Sequence, residues 1–250
     1  MSKQYRQPTK IRPSGTNFMD HSLRITSSAV VGAWRLRTLP NGVAEELTSV
    51  GMNGTFANVT WPLNNHSPGG LELPLFNGTS STIDLYSSAL ASAIDLDTIS
   101  ISLWARVNTD DDWTDSTRRR MLVLKTDANN YIQIDKSNAS NLLSFEYNGQ
   151  STKKWVNASC KVDGDVPVNW MHIGLSVSST ELKAYFNGEQ VGTTQTGIGV
   201  WSGALNSDTT LLGSSALGTP ANVWSGSLSD LIIWKAILTD SEMLKLSKVS

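Results

Sequence analysis

The sequence contains almost no cysteine. Cys160 is its single cysteine, which excludes an internal disulfide bond and a zinc site built from several thiolates. A lone thiol is compatible with a reducing cytoplasm, where structural disulfides are rare. We therefore expect the chain to fold and assemble in the cytoplasm.

Strong net charge and long apolar runs are also missing. The 250 residues carry a net charge of −2, which gives no overall electrostatic reason to expect nucleic acid as a partner. No apolar run approaches the length that spans a bilayer, and the polar N-terminal residues lack the apolar core of a secretory signal. We expect a soluble chain that begins near Met1 and has no membrane partner.

Alternating apolar and polar side chains are what the sequence has in abundance. Residues 171–177 and 182–186 each alternate with a period of two, which predicts two antiparallel strands that bury one face each. Asn187 and Gly188 then supply a turn with positive φ at low steric cost. Further alternating segments cover residues 71–85, 98–107, 121–125, 131–135, 142–147 and 227–234. Because a hairpin with one apolar face needs a partner sheet, the pattern favours an all-β protein.

Five segments, in this order along the chain, resemble the laminin-G-like, concanavalin A-like jelly-roll family. They are residues 33–36 (AWRL), 75–85 (LFNGTSSTIDL), 99–107 (ISISLWARV), 170–192 and 226–246. The resemblance implies a two-sheet antiparallel β-sandwich with a short C-terminal helix. We accordingly divide the chain into an extended basic arm, residues 1–22, and one jelly-roll domain, residues 23–250.

The C-terminal helix also has a local signal. Thr239 and Glu242 have the spacing of a capping box, and Leu238 and Met243 have that of a hydrophobic staple. We expect a short helix over residues 240–246 that closes the sandwich.

One segment departs from the family pattern. Residues 48–54 (TSVGMNG) stand where the family has a loop that begins with an aspartate and often helps to hold a structural calcium. Thr48 replaces that aspartate, and a neutral side chain is a poorer ligand for a hard cation. Asp230 stands where the family has an acid near its calcium. The replacement weakens the case for calcium, and we expect Asp230 to make a structural hydrogen bond.

The family's fold also includes glycoside hydrolases, whose catalytic acids have a characteristic spacing. Jelly-roll glucanases carry an E-x-D-x-E run on one strand, where alternation puts all three acids on one face. No such run is present, and His21, His66 and His172 show no metal-ligand spacing. A nucleophile elbow, a phosphate loop and a dinucleotide fingerprint are also absent. We interpret the chain as a non-enzyme without a cofactor or metal.

The segment NTDDDWTDSTRRR, residues 108–120, has the most unusual composition. It is either a solvated hairpin tip whose opposite charges neutralise each other or a recognition loop. In the second interpretation Trp113 offers a flat apolar face, and the carboxylates of Asp110, Asp111 and Asp112 offer acceptors for a ligand.

Trp155 is the second aromatic candidate for ligand binding. It lies in the polar segment 150–168, and it either covers the edge of a sheet or forms an exposed platform on which a sugar ring could stack.

The N-terminal arm is the candidate for docking to another subunit. Prolines and a glycine at positions 8, 13 and 15 interrupt any regular element. Its basic residues precede the first acid and are Lys3, Arg6, Lys10 and Arg12. The arm is either a solvated tail or a segment that lies along a neighbouring protein.

Two functions fit these features. The first is a virion structural or capsid decoration protein of the bacteriophage type, which docks to capsid or tail subunits through residues 1–20 and displays a lectin-like sandwich toward surface glycans. Such a protein would be assembled in the host cytoplasm and located on the virion surface. The alternative is a free carbohydrate-binding lectin, with calcium as its one candidate ion. Fold alone does not separate the two, because one sandwich serves many functions.

Overall fold

Antiparallel β-strands form most of the regular structure of the protein. A computed structural model describes residues 29–37, 42–48, 52–63, 65–66, 72–139, 142–160 and 169–248. The strands are β1 (Val30–Trp34), β2 (Val43–Ala44), β3 (Gly54–Ala57), β4 (Leu75–Asn77), β5 (Thr82–Asp84), β6 (Ile99–Val107), β7 (Arg119–Asp127), β8 (Asn130–Lys136), β9 (Leu142–Gly149), β10 (Thr152–Ser159), β11 (Met171–Val177), β12 (Glu181–Phe186), β13 (Glu189–Thr196), β14 (Thr210–Leu212) and β15 (Ser225–Trp234). The helices are α1 (Ser88–Ala93), α2 (Asp110–Thr114) and α3 (Asp240–Ser247), with one 3₁₀ turn at Ser207–Thr209.

The strands form two sheets. The seven-stranded sheet has the order β1-β15-β6-β11-β12-β13, with β4 also paired to β15. The eight-stranded sheet has the order β10-β9-β8-β7-β14-β5-β3-β2. Non-consecutive neighbours such as β15 and β6 show that the chain crosses repeatedly between the sheets. The predicted two-sheet antiparallel β-sandwich is therefore confirmed.

Alternation along the strands builds the core between the sheets. In the seven-stranded sheet the inward residues include Ile101 on β6 and Leu175 on β11, and in the eight-stranded sheet they include Ile134 on β8 and Phe145 on β9. All four side chains are fully buried. Facing sheets pack in this way because each has one apolar side to remove from water.

The predicted central hairpin is confirmed. Strand β11 pairs with β12, and the following turn places Asn187 at φ 52° and Gly188 at φ 81°. The Asn187 Oδ1 atom accepts the backbone N–H of His172 at 2.9 Å, which fixes the turn against the start of β11. His172 itself is a buried sheet residue.

Helix α3 closes the outer side of the seven-stranded sheet. Its Thr239 N-cap and Glu242 form the predicted capping box, and the Thr239 hydroxyl accepts the Glu242 N–H at 3.3 Å. Met243 and Leu246 pack on this side in a second apolar cluster with Tyr185 of the sheet. The capping box sets where the helix begins, and its apolar residues attach it to the sandwich.

The predicted arm and its boundary at residue 22 lie outside the described residues, as do the docking residues Lys3, Arg6, Lys10 and Arg12. No helix in the described part of the chain is long and apolar enough to cross a membrane.

Candidate functional site

Trp113 is a core residue. It lies on helix α2 with only 1% of its surface exposed. Its indole N–H donates a hydrogen bond of 3.0 Å to the Cys160 carbonyl oxygen. The prediction that Trp113 offers a flat face to a ligand is therefore wrong, because burying the ring in the core satisfies both its apolar surface and its polar edge.

The acids around Trp113 are largely engaged within their own loop. The Asp112 carboxylate completes the capping box of α2 by accepting the Thr109 N–H at 3.1 Å, and it pairs with Arg119 at 2.9 Å. Asp110 and Asp111 lie exposed in the first turn of the helix, on a loop whose aromatic ring points into the core. The opposite charges of this loop thus pair with each other. This agrees with the interpretation of the segment as one whose opposite charges neutralise each other.

A buried lysine holds the end of the same loop. The Lys136 side chain is fully buried, and its Nζ atom donates to the Asp115 carboxylate at 2.7 Å and to the Thr117 carbonyl oxygen at 3.1 Å. The Arg119 guanidinium beside Asp115 holds the pKa of that carboxyl well below its usual range, despite partial burial. These contacts fix the loop to strand β8.

A different set of polar residues gathers on the outer side of the eight-stranded sheet. Cross-strand register pairs Gln133 with Glu146 and Glu146 with Trp155. Asp135, two residues after Gln133, pairs with Arg120 of β7. Because side chains alternate along a strand and the residues between these belong to the core, this set shares the outer side.

Charge pairs link the members of this set. The Lys153 ammonium lies 3.1 Å from the Glu146 carboxylate. Arg118 lies 3.6 Å from Asp135 and 3.9 Å from Glu146, and the Arg120 Nε atom contacts Asp135 directly. Both arginines thus form ion pairs with Asp135. We call this set the charged face; its members are Arg118, Arg120, Asp135, Glu146, Lys153 and Trp155.

Burial divides the charged face into a base and a rim. Asp135 is completely buried, and this loss of solvation raises its pKa to about 7 although Arg120 and Arg118 oppose the rise. The Lys153 side chain is 42% exposed, and ion pairing with Glu146 raises its pKa despite partial burial. The buried Asp135 thus forms the base and anchors the arginines. The exposed Lys153 lies at the rim, where a ligand can reach it.

Trp155 supplies the aromatic surface of the charged face. Half of its surface is exposed, on the strand at the edge of the sheet. The Lys153 ammonium lies 5.7 Å from the centre of the Trp155 ring and 5.9 Å from that of Tyr131, within the range of a cation–π contact. Of the two interpretations of Trp155, the exposed platform is the one that its surface fits.

This arrangement has the chemistry of a sugar-binding surface. An exposed indole can stack on the C–H side of a sugar ring, while the exposed Lys153 ammonium beside it donates hydrogen bonds to the ring hydroxyl groups. A general acid must come within hydrogen-bond reach of the substrate, and the buried Asp135 is covered on all sides. The geometry favours binding over catalysis.

Polar groups around Thr48, at the start of the segment that stands where the family often holds calcium, are bonded within the protein. The Glu46 Oε1 atom accepts the N–H groups of Ala33 and Thr48, both at 2.9 Å, and the Thr48 hydroxyl at 2.5 Å. Asp230 accepts the Ser229 hydroxyl at 2.7 Å, so the expected structural hydrogen bond is confirmed. Within the residues described here, no group of three or more His, Cys, Asp or Glu side chains could hold a metal ion.

Comparison with known proteins supports the fold. The family model described as the concanavalin A-like lectin/glucanases superfamily matches residues 77–243. No curated protein matches the sequence.

Several solved structures share the architecture. Domain 4 of AbnA, a GH43 extracellular arabinanase from Geobacillus stearothermophilus solved with arabinotriose, has a TM-score of 0.66 at 17% identity, over 88% of this chain and 98% of that one. The CBM40 of the Ruminococcus gnavus IT-sialidase, bound to α2,3 sialyllactose, has a TM-score of 0.55 at 16% identity, over 70% and 96%. Trypanosoma rangeli sialidase with sialic acid has a TM-score of 0.61 at 11% identity, over 89% of this chain and 33% of that one. At these identities the likeness shows the fold.

Proposed function

The chain belongs to the concanavalin A-like lectin/glucanase superfamily, and from this premise we propose that it is a non-enzymatic recognition module that binds carbohydrate on its charged face. The observation that carries the proposal is the half-exposed Trp155 ring, which is paired across the sheet with Glu146 and lies 5.7 Å from the Lys153 ammonium. An aromatic platform beside an exposed hydrogen-bond donor is what a polyhydroxylated ring needs.

The ligands of the structural neighbours support the same proposal. The arabinanase domain was solved with arabinotriose, the CBM40 with sialyllactose and the T. rangeli sialidase with sialic acid. These sugars belong to those proteins, and they differ from one another. They favour carbohydrate as the class of ligand for this sandwich. Which sugar it binds is to be determined by experiment.

A glycan array tests the proposal. The protein is applied with and without a chelator, beside Trp155→Ala and the control Leu244→Ala, which removes an exposed apolar side chain from α3. We expect the native protein and the control to bind the same glycans, and Trp155→Ala to lose that binding. Binding that Trp155→Ala retains in full would place the site elsewhere. Loss of binding with the chelator would favour the calcium-dependent lectin.

We further propose that the sandwich is displayed on a virion surface and is attached through its N-terminal arm to capsid or tail subunits. The support is compositional: four basic residues precede the first acid, and prolines at positions 8 and 13 disfavour a regular helix or strand there. The free lectin is the alternative, and the two differ in whether the arm is needed for incorporation into a particle.

A further inference from the structure

A cavity lies at one end of the sandwich, among residues that do not belong to the charged face. It has a volume of about 250 Å³ and forms where the turn after α1 meets the loop around Trp201. Ile94, Leu96 and Leu205 supply apolar lining, and Trp201, Asp95 and Lys235 lie around them. We call it the Trp201 cavity.

The Trp201 ring is fixed in place by hydrogen bonds. Its backbone N–H donates to the Asp97 Oδ1 atom at 2.6 Å, and its indole N–H donates to the Gly203 carbonyl oxygen at 3.1 Å. The Tyr147 hydroxyl lies 2.9 Å from the same Asp97 atom and 2.9 Å from the Gly199 carbonyl oxygen, and its one proton is shared between these two acceptors. A ring that is already ordered loses little conformational entropy when a ligand stacks on it.

Two opposite charges stand at the mouth of the cavity. The Lys235 Nζ atom lies 3.9 Å from the Asp95 carboxylate, and the side chains are 55% and 38% exposed. An exposed pair at this distance contributes little to stability, so both groups can turn toward a ligand at small cost. Together they offer donors and acceptors, and Asp97, which also lines the cavity, gives the lining a net negative charge that disfavours an anionic ligand.

We propose that the Trp201 cavity is a second carbohydrate site, which takes one neutral sugar ring. The ring would stack on Trp201 above the apolar lining, with its hydroxyl groups between Lys235 and Asp95. The volume of the cavity lies below the roughly 300–1,000 Å³ of pockets for drug-sized ligands. This size suits a single sugar ring at the end or side of a glycan. The Trp201 cavity shares no residue with the charged face. Each site can therefore be tested by substitutions that leave the residues of the other site unchanged.

The test uses the indole N–H signals of the isotope-labelled full chain in NMR spectra, with Trp201 assigned from Trp201→Phe. Glucose, galactose, mannose and N-acetylglucosamine are titrated one at a time. We expect at least one of them to shift the Trp201 signal in a saturable way. Lys235→Met and Asp95→Asn should each lower the affinity for that sugar by about tenfold, because each removes a charge-assisted hydrogen bond. Trp155→Ala should leave the titration unchanged.

Two outcomes would overturn this inference. One is that none of the four sugars moves the Trp201 signal while the protein is folded. The other is that Lys235→Met and Asp95→Asn both bind as the native protein does, which would remove the mouth of the cavity from recognition. Both variants alter exposed side chains and should fold normally. Loss of glycan binding in Trp155→Ala bears on the charged face alone.

Discussion

Trp113 contributes to stability, and its substitution should show this directly. The ring is buried, and its N–H is bonded to the Cys160 carbonyl oxygen. Trp113→Ala leaves a large cavity, so we expect a loss of about 3–5 kcal/mol in the free energy of unfolding, measured in urea. Trp155→Ala, at a half-exposed position, should lose less than about 1 kcal/mol. A Trp113→Ala protein of native stability that no longer binds glycan would contradict this assignment.

Asp230 makes the stability of the protein depend on pH. It is buried at φ 50° between strand residues, and burial raises its pKa to about 7 although Ser229 and Arg35 oppose the rise. The unfolded carboxyl has its ordinary pKa of 3.8, so the folded state holds the proton more tightly. This contribution is complete below that pH and is lost as the pH rises through about 7.

We therefore expect Asp230→Asn to flatten the pH dependence. Asparagine tolerates the left-handed backbone and can accept the Ser229 hydroxyl, but it cannot ionise. Between pH values near 5 and 8, the native protein should lose more unfolding free energy than the variant does, by a few kcal/mol. Unfolding midpoints in urea at the two pH values measure the difference. Equal losses in both proteins would show that the Asp230 carboxyl titrates normally.

At the scale of elements, the central hairpin and helix α3 depend on one glycine. A Cβ atom on Gly188 would lie 2.2 Å from the Ser247 Oγ atom and 2.8 Å from the Leu244 Cα atom. Gly197 also has positive φ, at 61°, but a Cβ there would meet nothing within 4 Å. The two glycines separate backbone strain from steric contact with the helix.

Gly188→Ala should therefore destabilise the protein more than Gly197→Ala does. The backbone strain of about 1–2 kcal/mol is common to both, and overpacking against α3 should add about 1–3 kcal/mol at Gly188. Chemical unfolding of the two variants gives the comparison. If both lose the same free energy, helix α3 is not held against the turn as closely as its contacts indicate.

Elements with local signals were predictable from the sequence. The hairpin over β11 and β12, its Asn187-Gly188 turn and the capping box at Thr239 depend on neighbours within a few residues. Helix α2 was missed, although Thr109 and Asp112 have a capping-box spacing that could have predicted it. Once the helix forms, Trp113 turns inward, and the predicted recognition loop loses its aromatic face.

The charged face could not be predicted from the sequence, because its contacts join residues that are distant along the chain. Asp135 and Arg120 are fifteen residues apart, and they meet because β7 and β8 pair in one register. Glu146 reaches Lys153 and Arg118 in the same way, across strand pairs whose order the alternation pattern does not reveal. Trp155 was named as a candidate for ligand binding because a tryptophan in a polar segment is conspicuous without any knowledge of strand pairing.

At the scale of the whole molecule, the two outer sides of the sandwich differ. Helix α3 packs on the seven-stranded sheet and buries Met243 and Leu246 against it. The eight-stranded sheet instead presents Trp155 and Lys153 to solvent. This asymmetry suits a module that is covered on one side and binds its ligand on the other.

Deletion of residues 1–20 tests how the module is attached. We expect the shortened protein to keep the thermal stability of the sandwich and to lose its incorporation into virus particles, because the basic, proline-interrupted arm is proposed to dock to a neighbouring subunit. A variant with Lys3, Arg6, Lys10 and Arg12 changed to glutamine separates the effect of charge from that of length. Normal incorporation of the shortened protein would refute arm-mediated docking.

The central claim, that carbohydrate binds on the charged face, is tested most directly by mapping the bound ligand. The best glycan from the array is titrated into the isotope-labelled protein, and backbone and indole N–H shifts are followed by NMR. The account predicts the largest shifts at the Trp155 indole and along β8, β9 and β10, with little change in β11, β12 and α3. Shifts that cluster on the seven-stranded sheet and α3 instead, with the Trp155 indole unmoved, would contradict it.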